Sequence, residues 1–324
     1  MESSQKKHSR LYDFKPGLEQ FREEVLRGLQ KSPKELPTKY LYDERGSNLY
    51  EQICTLEEYY IPRTEAAIMD SNIDEIVRLL GPKATLIEYG CGSCTKTRIL
   101  LDNMVDLIAY MPIDISRLQL QVVADELGQC YPGLEILPVC ADYTEDFQIP
   151  LSNIQHNRIV AYFPGSSIGN FNPQSAAILL NNIARVCKSG GALLIGVDLK
   201  KDVDVLHRAY NDCDGITAAF NMNLLDRINR ELHGNFQTKD FRHHAFYAPD
   251  EGRVEMHLVS LKEQTVNLNN TCIHFNEGES IWTENSYKYD KDKFQQLAAT
   301  AGFSVEKVWM DEKKWFSVQY LVVA

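Results

Sequence analysis

The stretch Thr85–Lys96, T-L-I-E-Y-G-C-G-S-C-T-K, decides how the chain folds. It begins inside a run of mostly apolar residues, which predicts a buried parallel strand over 84–89. Gly90 and Gly92 follow the strand directly. Because glycine has no β-carbon, this pair permits a tight turn and lets a ligand lie against bare backbone.

The residues after the turn separate two kinds of nucleotide loop. A helix is predicted over 96–104, with Thr95 as its N-cap. No third glycine follows at the spacing of the G-x-G-x-x-G loop of dinucleotide-binding sites. The stretch instead resembles the E-x-G-x-G loop of class I S-adenosylmethionine (SAM) methyltransferases, which implies that Glu88, Gly90 and Gly92 contact that cofactor.

From Ala84 to about residue 200, strands and helices alternate, which predicts a parallel α/β sheet. Further strands are predicted at 107–113, 134–140, 158–163 and 192–198, with helices at 117–129 and 174–186. After a helix predicted over 292–301, with Asp292 as N-cap, two last strands are predicted at 304–310 and 315–323. That final pair resembles the antiparallel finish of a class I, Rossmann-like methyltransferase sheet.

Two segments interrupt this alternation. Residues 13–62 predict helices and no strand, the first helix running from Pro16 to Gln30. Pro62 biases Ile61 away from helix, so the next helix is predicted to start at Thr64. Residues 201–288 have mixed character. We expect 63–200 with 289–324 to form a SAM-binding domain, and 13–62 with 201–288 a second, α+β substrate-binding domain.

The composition of the chain limits the classes of molecule that it is expected to bind. A net charge of −11 and a pI near 5.3 argue against nucleic acid or an anionic membrane as partner. We expect no secretory signal, because the polar N-terminus has no apolar segment. The eight cysteines have no framework of spacings, which favours reduced thiols in a cytoplasmic protein. We expect a monomer that acts on a small molecule.

Two residue groups suggest other chemistry. Cys91 and Cys94 form a C-x-x-C, the spacing of redox and zinc sites, but no second ligand pair follows and the flanking glycines favour cofactor contact. The adjacent pair His243-His244 and the separate His257 could suggest a metal, yet no further ligand position accompanies them. We expect no metal site.

Strand ends predict where the site lies. Ligands of open α/β sheets bind at the carboxyl ends of the strands. The residues at these ends are Lys96 after the first strand, Asp114 after the second, Asp142 with Tyr143 after the third, and P-G-S-S-I-G-N (164–170) after the fourth. A carboxylate at Asp114 can accept both ribose hydroxyls. Asp142 and Tyr143 are suited to an adenine amino group and ring.

Several longer segments carry a more specific signal. These are K-Y-L-Y-D-E-R-G-S-N-L-Y-E-Q-I (39–53), E-Y-Y-I-P-R-T-E (58–65), the 164–170 loop, A-Y-N-D-C-D-G-I-T-A-A-F-N-M-N-L-L-D-R-I-N-R-E-L (209–232), R-V-E-M-H-L (253–258) and G-E-S-I-W-T-E-N-S-Y-K-Y (278–289). Together they resemble the histidine-specific Nα-methyltransferases of ergothioneine biosynthesis. The similarity extends from about Leu36 to the C-terminus. Members of that family convert L-histidine to its betaine, hercynine, with three molecules of SAM.

The resemblance implies a role for each matching residue. It assigns Asn170 and Tyr210 to the amino-acid head, with the backbone of Gly165 near the amine. It assigns Tyr42 and Tyr59 to the same pocket, with Tyr42 and Asn170 as catalytic candidates. The ring-binding residues that it implies are Met256, Glu284 and Ser286.

Two other functions remain open at the sequence level. Fungal relatives of the same fold methylate a tryptophan derivative, so another aromatic amino acid could be the substrate. The pair Glu284 and Ser286 favours histidine, because an indole has one N–H and no second nitrogen to bind. A SAM-binding subunit without activity is disfavoured, because the chain carries both cofactor and amino-acid residues.

Overall fold

A central sheet with helices on both faces organises the chain. The computed structural model describes residues 11–14, 17–92, 94–145, 147, 149–151 and 155–324. The strands are β1 (Tyr12–Phe14), β2 (Lys34–Glu35), β3 (Ala84–Tyr89), β4 (Ala109–Asp114), β5 (Glu135–Ile136), β6 (Val139–Ala141), β7 (Arg158–Phe163), β8 (Ala192–Asp198), β9 (Phe241–Ala248), β10 (Arg253–Ser260), β11 (Gln264–Leu268), β12 (Thr271–Phe275), β13 (Ser280–Tyr287), β14 (Phe303–Met310) and β15 (Phe316–Val323).

Helices connect half of the successive strands that the structure describes. They are α1 (Leu18–Leu29), α2 (Glu44–Thr55), α3 (Ile61–Leu80), α4 (Thr95–Leu101), α5 (Arg117–Cys130), α6 (Pro173–Cys187), α7 (Val203–Tyr210), α8 (Ile216–Leu232) and α9 (Lys291–Thr300). Short 3-10 turns cover Thr38–Leu41, Ser167–Asn170 and Thr238–Asp240.

The large sheet has the order β1-β6-β4-β3-β7-β8-β15-β14, with β5 paired to β4. Its strands run parallel until β15, which is antiparallel to both β8 and β14. Every residue of β3 and β8 is buried, as expected where helices cover both faces. This topology confirms the predicted Rossmann-like class I sheet with an antiparallel last strand, and β3, β7 and β8 have their predicted bounds.

The bounds predicted for several strands and helices from local sequence patterns differ from those in the structure. The strand predicted over 134–140 is two short strands, because Leu137 and Pro138 interrupt it and proline has no N–H to donate to a ladder. The helix after the glycine turn covers Thr95–Leu101 instead of 96–104. Its N-cap is Cys94 in a left-handed conformation (φ 54°), so the prediction of Thr95 as N-cap is wrong.

Two other helix starts were also predicted too late. Helix α3 begins at Ile61 and not at Thr64, because proline is well tolerated in the first turn of a helix, where its missing N–H is not needed. The N-cap position of α9 is occupied by Asp290 instead of Asp292. The start predicted for α1 at Pro16 lies outside the described residues.

The segment before residue 62 contains strands that the sequence did not predict. β1 pairs in parallel with β6 at the edge of the large sheet. β2 pairs with β13 in a second sheet of order β2-β13-β10-β9, and β11 and β12 form a separate ribbon. The second sheet therefore combines a strand from the first sixty residues with strands from the segment between β8 and α9.

Helix α3 is fixed against the carboxyl edge of the large sheet through Glu65. This carboxylate is fully buried, forms an ion pair with Lys96 and accepts a hydrogen bond of 2.9 Å from the backbone N–H of Gly165. Room for it exists because the neighbouring strand residue is Gly196. A β-carbon there would lie 2.2 Å from Glu65 Oε1 and 2.9 Å from the ring of Phe316.

We predict that Gly196→Ala lowers the free energy of unfolding by about 1–3 kcal/mol, because Glu65 is held by two partners and cannot withdraw. Urea unfolding followed by circular dichroism measures the change. Gly128→Ala in α5 is the matched control, since nothing lies within 4 Å of its added β-carbon. That control should stabilise the protein by about 1 kcal/mol. Equal stability of Gly196→Ala and wild type would contradict the prediction.

Candidate active site

A cavity of about 1410 Å³ opens at the carboxyl ends of the large sheet. The second sheet and the helices before residue 62 form its other walls. Eleven of the residues singled out from the sequence line it: Tyr42, Glu88, Gly90, Gly92, Lys96, Asp114, Asp142, Tyr143, Gly165, Asn170 and Glu284. Four others are buried and do not line it, namely Tyr59, Tyr210, Met256 and Ser286.

The glycine loop is held by the carboxylate at the end of β4. Gly90 and Gly92 have φ angles of 77° and 49°, which residues other than glycine rarely adopt. The backbone N–H groups of Gly92 and Ser116 donate to Asp114 at 3.2 and 2.9 Å. Burial raises the pKa of Asp114, while the backbone donors oppose that rise. The carboxylate is thus oriented before any ligand arrives.

Glu88 faces inward as well as lining the cavity. Its oxygens accept hydrogen bonds from Thr97 Oγ1 at 2.7 Å and from the hydroxyl of Tyr110. Burial raises the pKa of Glu88 to about 7, against the effect of these donors. Glu88, which the sequence predicts to contact the cofactor, therefore also links β3, α4 and β4 through hydrogen bonds.

Asp142 has a partner that the sequence analysis missed. Lys39, in the first 3-10 turn, forms ion pairs of 2.9 Å with both Asp142 and Glu24 of α1. Burial lowers the pKa of Lys39, but these two carboxylates outweigh it and the net shift is upward. No local pattern marks Lys39, because its partner lies about a hundred residues away. Beside Asp142, the ring of Tyr143 lies edge-on to that of Phe163 at 5.8 Å.

Tyrosines form one side of the cavity. The ring of Tyr42 meets those of Tyr50 and Phe220 edge-on, at centroid distances of 5.5 and 5.4 Å. Tyr59 in turn lies edge-on between Tyr50 and Tyr210. Burial raises the pKa of Tyr42 well above its ordinary value, with Glu284 adding to the shift, so this hydroxyl stays protonated at neutral pH. Tyr50 lines the cavity, although the sequence marked it only as a helix residue.

Glu284 offers an acceptor without a protein partner. It lies on β13 opposite Met256 of β10. Among the described residues, nothing donates a hydrogen bond to its carboxylate or forms an ion pair with it, although it is largely buried. Desolvation raises the pKa of Glu284 to about 8, and the charge of Lys288 reduces the shift.

Ser286 lies on the same face of β13, two residues further along. Its oxygen accepts hydrogen bonds of 2.7 Å from both the hydroxyl of Tyr210 and the ammonium group of Lys288. Lys288 also donates to Tyr210 at 3.0 Å and forms an ion pair of 2.8 Å with Asp198. The sequence predicted Tyr210 at the amino-acid head, whereas here its proton is donated to Ser286.

Asn170 ends the 3-10 turn that follows β7. Within the part of the chain that the structure describes, its side-chain amide makes no hydrogen bond, so its donor and acceptor remain available to the cavity. The nearby Gly165 has a φ of 73°, and a β-carbon there would approach Lys96 Nζ to 3.5 Å. The absence of a side chain keeps this part of the wall open.

The other chemistries considered from the sequence find little support. Across the described ranges, no group of three or more histidine, cysteine or carboxylate side chains could hold a metal ion. Cys94 Sγ lies 3.2 Å from the hydroxyl of Tyr110, and His257 bonds Glu255 and Ser280. No helix in the described chain is long and apolar enough to cross a membrane.

Comparison with known proteins identifies the group to which these features belong. Residues 21–323 match the family described as histidine-specific, SAM-dependent methyltransferases. The chain is 39% identical to the histidine N-alpha-methyltransferase of Mycolicibacterium smegmatis, over 94% of this chain and 95% of the relative. It is 38% identical to the protein of the same name from Mycobacterium tuberculosis, with 90% and 91% covered. The ergothioneine biosynthesis protein 1 of Neurospora crassa is 30% identical over 86% of this chain and 32% of its own length.

The raised pKa of Glu284 predicts a pH-dependent stability. A glutamate in the unfolded chain ionises near pH 4.5, whereas Glu284 in the folded protein ionises near 8. Between these values the folded protein holds a proton that the unfolded chain has lost, so each rise in pH favours unfolding. Above about 8 the two states carry the same charge at this site and the effect levels off.

We therefore expect the Tm of the wild type, relative to Glu284→Gln, to fall from pH 5 to pH 8 and then stay constant. Scanning calorimetry without substrate measures both proteins across this range. The glutamine keeps the size of the side chain but cannot ionise, so it removes only the titration. A Tm difference that is independent of pH would show that Glu284 ionises normally.

Proposed function

Because the chain belongs to the SAM-dependent, histidine-specific methyltransferase family, we propose that it transfers three methyl groups from SAM to the α-amino nitrogen of L-histidine. The product is the betaine hercynine, and the reaction is a step of ergothioneine biosynthesis. The observation that carries the proposal is Glu284, a cavity-lining carboxylate that has no partner among the described residues. A site with an unused acceptor of this kind suits a ring that presents an N–H.

The glycine-loop end of the cavity fits the cofactor. Asp114 is fixed by two backbone donors and keeps lone pairs for the ribose hydroxyls. Gly90 and Gly92 leave bare backbone beside it, and Tyr143 supplies an aromatic face for adenine. SAM, when bound, supplies an electrophilic methyl group. Glu88 and Lys96 shape this end through their bonds to Tyr110, Thr97 and Glu65.

Asn170 and Gly165 are proposed to bind the amino-acid head. The free amide of Asn170 offers both a donor for a carboxylate and an acceptor for an amine. Tyr42 completes this part of the wall, and Tyr59, which is buried and does not line the cavity, is proposed to support it. The raised pKa of Tyr42 argues against a phenolate base, so we propose that its neutral hydroxyl orients the amine while the amine's proton passes to solvent. The chemical step then depends mainly on positioning.

The ring is proposed to lie between Met256, Glu284 and Ser286. Glu284, which lines the cavity, accepts a hydrogen bond from one imidazole nitrogen. Ser286 is buried behind the cavity wall, and we propose that the other nitrogen reaches it there. The tyrosine wall fits the later methylation steps, in which the product nitrogen becomes a permanent cation. Aromatic faces attract such cations, and those of Tyr42, Tyr50 and Tyr59 are nearby.

We propose two structural units within one working monomer. The cofactor unit comprises 63–200 and 289–324, and the substrate unit comprises 13–62 and 201–288. Pairing of β2 with β13 supports this grouping. β1 is an exception, since it pairs within the large sheet. The eight cysteines are all free, which supports a reducing, cytoplasmic environment.

Asp114→Ala should weaken binding of S-adenosylhomocysteine at least about tenfold, because a charge-assisted contact to the ribose is lost. Isothermal titration calorimetry measures the affinity. Asp125→Ala, at an exposed position of α5, is the matched control and should bind as the wild type does. An unchanged dissociation constant for Asp114→Ala would refute the ribose assignment.

Substrate choice tests the ring contacts. The wild type should trimethylate histidine and prefer it over tryptophan, tyrosine and phenylalanine by roughly 10⁴-fold, since those side chains leave buried polar groups unpaired. Mass spectrometry of each reaction measures the products. Glu284→Ala should raise the KM for histidine at least about tenfold while SAM affinity changes little.

Glu277→Ala, in the exposed turn before β13, is the matched control for that variant and should leave both constants unchanged. Turnover of tryptophan in preference to histidine would overturn the substrate assignment but not the SAM-dependent family. A Glu284→Ala variant with the wild-type KM for histidine would remove Glu284 from the ring site.

A further inference from the structure

A buried lysine beneath the ring site controls the hydrogen bonds of Ser286. Lys288 follows β13 directly, and its side chain is fully buried. Its ammonium group has three protons and three oxygen partners: Asp198 at 2.8 Å, Ser286 at 2.7 Å and Tyr210 at 3.0 Å. Each proton of Lys288 therefore has its own acceptor.

Counting donors and acceptors fixes the direction of each bond around Ser286. A serine oxygen has two lone pairs and one proton. Both lone pairs are used, one by Lys288 and one by the hydroxyl of Tyr210. Among the described residues, nothing accepts the proton of Ser286. Towards a further partner this hydroxyl can only donate.

The hydrogen bonds around Ser286 keep these directions over the pH range in which the imidazole ring of free histidine titrates. Burial lowers the pKa of Lys288, but the carboxylate of Asp198 outweighs it and the net shift is upward, so the lysine stays charged. The pKa of Asp198 is lowered by Lys288 and Lys201 despite its burial. The other titratable groups around this cluster are Tyr60, Lys201, Tyr210, Glu284 and Asp311.

We propose that Lys288 is a positioning residue that fixes Ser286 as a hydrogen-bond donor, so that the site binds the neutral imidazole ring of histidine and rejects the imidazolium ring. This inference rests on the proposed function and specifies the protonation state of its substrate. A neutral imidazole presents one N–H and one bare nitrogen, which match Glu284 and Ser286 respectively. An imidazolium presents a second N–H towards an oxygen whose lone pairs are already occupied.

The pH dependence of histidine binding tests the proposal. Calorimetry is performed with protein saturated with S-adenosylhomocysteine, at pH 5.5 and 7.5. For the wild type, the Kd of histidine should rise about tenfold more than that of triazolylalanine at the lower pH, following the neutral fraction of a ring with a pKa near 6.5. Triazolylalanine has a ring that stays neutral at both values, so it measures the part of the change that comes from titration of the protein itself, including Glu284.

Three variants connect this profile to the lysine. Lys288→Met frees one lone pair of Ser286 and should reduce the histidine effect to less than about threefold. Lys288→Arg retains the charge and the donors and should keep most of the wild-type effect. Ser286→Ala removes the donor, so it should weaken binding at pH 7.5 more than at 5.5. This variant decides the question if Lys288→Met fails to fold.

Two results would overturn the proposal: a wild-type histidine Kd that changes with pH no more than that of triazolylalanine, or a full tenfold excess over triazolylalanine that persists in Lys288→Met or in Ser286→Ala. Failure of the proposed function would look different. In that case the wild type would not bind histidine at pH 7.5 at all, whatever the profile of the variants.

Discussion

Asp198 is the charge on which the arrangement of the site depends. It ends β8, is completely buried, and forms ion pairs with Lys288 and Lys201 at 2.8 and 2.6 Å. The hydroxyl of Tyr60, at the start of α3, donates to the same carboxylate. Burying an unpaired carboxylate would cost several kcal/mol, so these partners must converge when the chain folds. Their convergence joins the large sheet to α3 and to the second sheet, the elements that enclose the cavity.

The two side chains of β13 that we propose to bind the ring differ because of this cluster. Ser286 belongs to it and its acceptors are already in use, whereas Glu284 lies outside and its carboxylate has no partner in the described structure. Ser286 is therefore preorganised by contacts within the protein, whereas the carboxylate of Glu284 is left available to a ligand. Such a division lets a small site distinguish the two edges of a ring with only two side chains.

The sequence was most informative where chemistry follows directly from chain order. The carboxyl ends of parallel strands lie at one edge of the sheet, so chain order alone brings Gly90, Asp114, Asp142 and Asn170 together there. Contacts between distant segments left no local pattern. The pairing of Lys39 with Asp142 depends on how the first turn folds over the sheet.

The same limit applies to the proposed substrate site. Residue matching selected Tyr210 and Ser286, but it could not reveal that both are bonded to Lys288 and lie behind the cavity wall. Another error is local: Pro62 predicts a late helix start, although proline is compatible with the first turn of α3.

The short strand β1 has a consequence for how the protein tolerates shortening. It covers the outer edge of β6, which would otherwise present unpaired backbone groups to solvent. An uncovered strand edge is a template for pairing with another chain. A protein trimmed beyond Phe14 would expose the edge of β6, whereas in the whole chain the edge of the sheet is β1, a strand of only three residues. Short edge strands limit pairing with other chains.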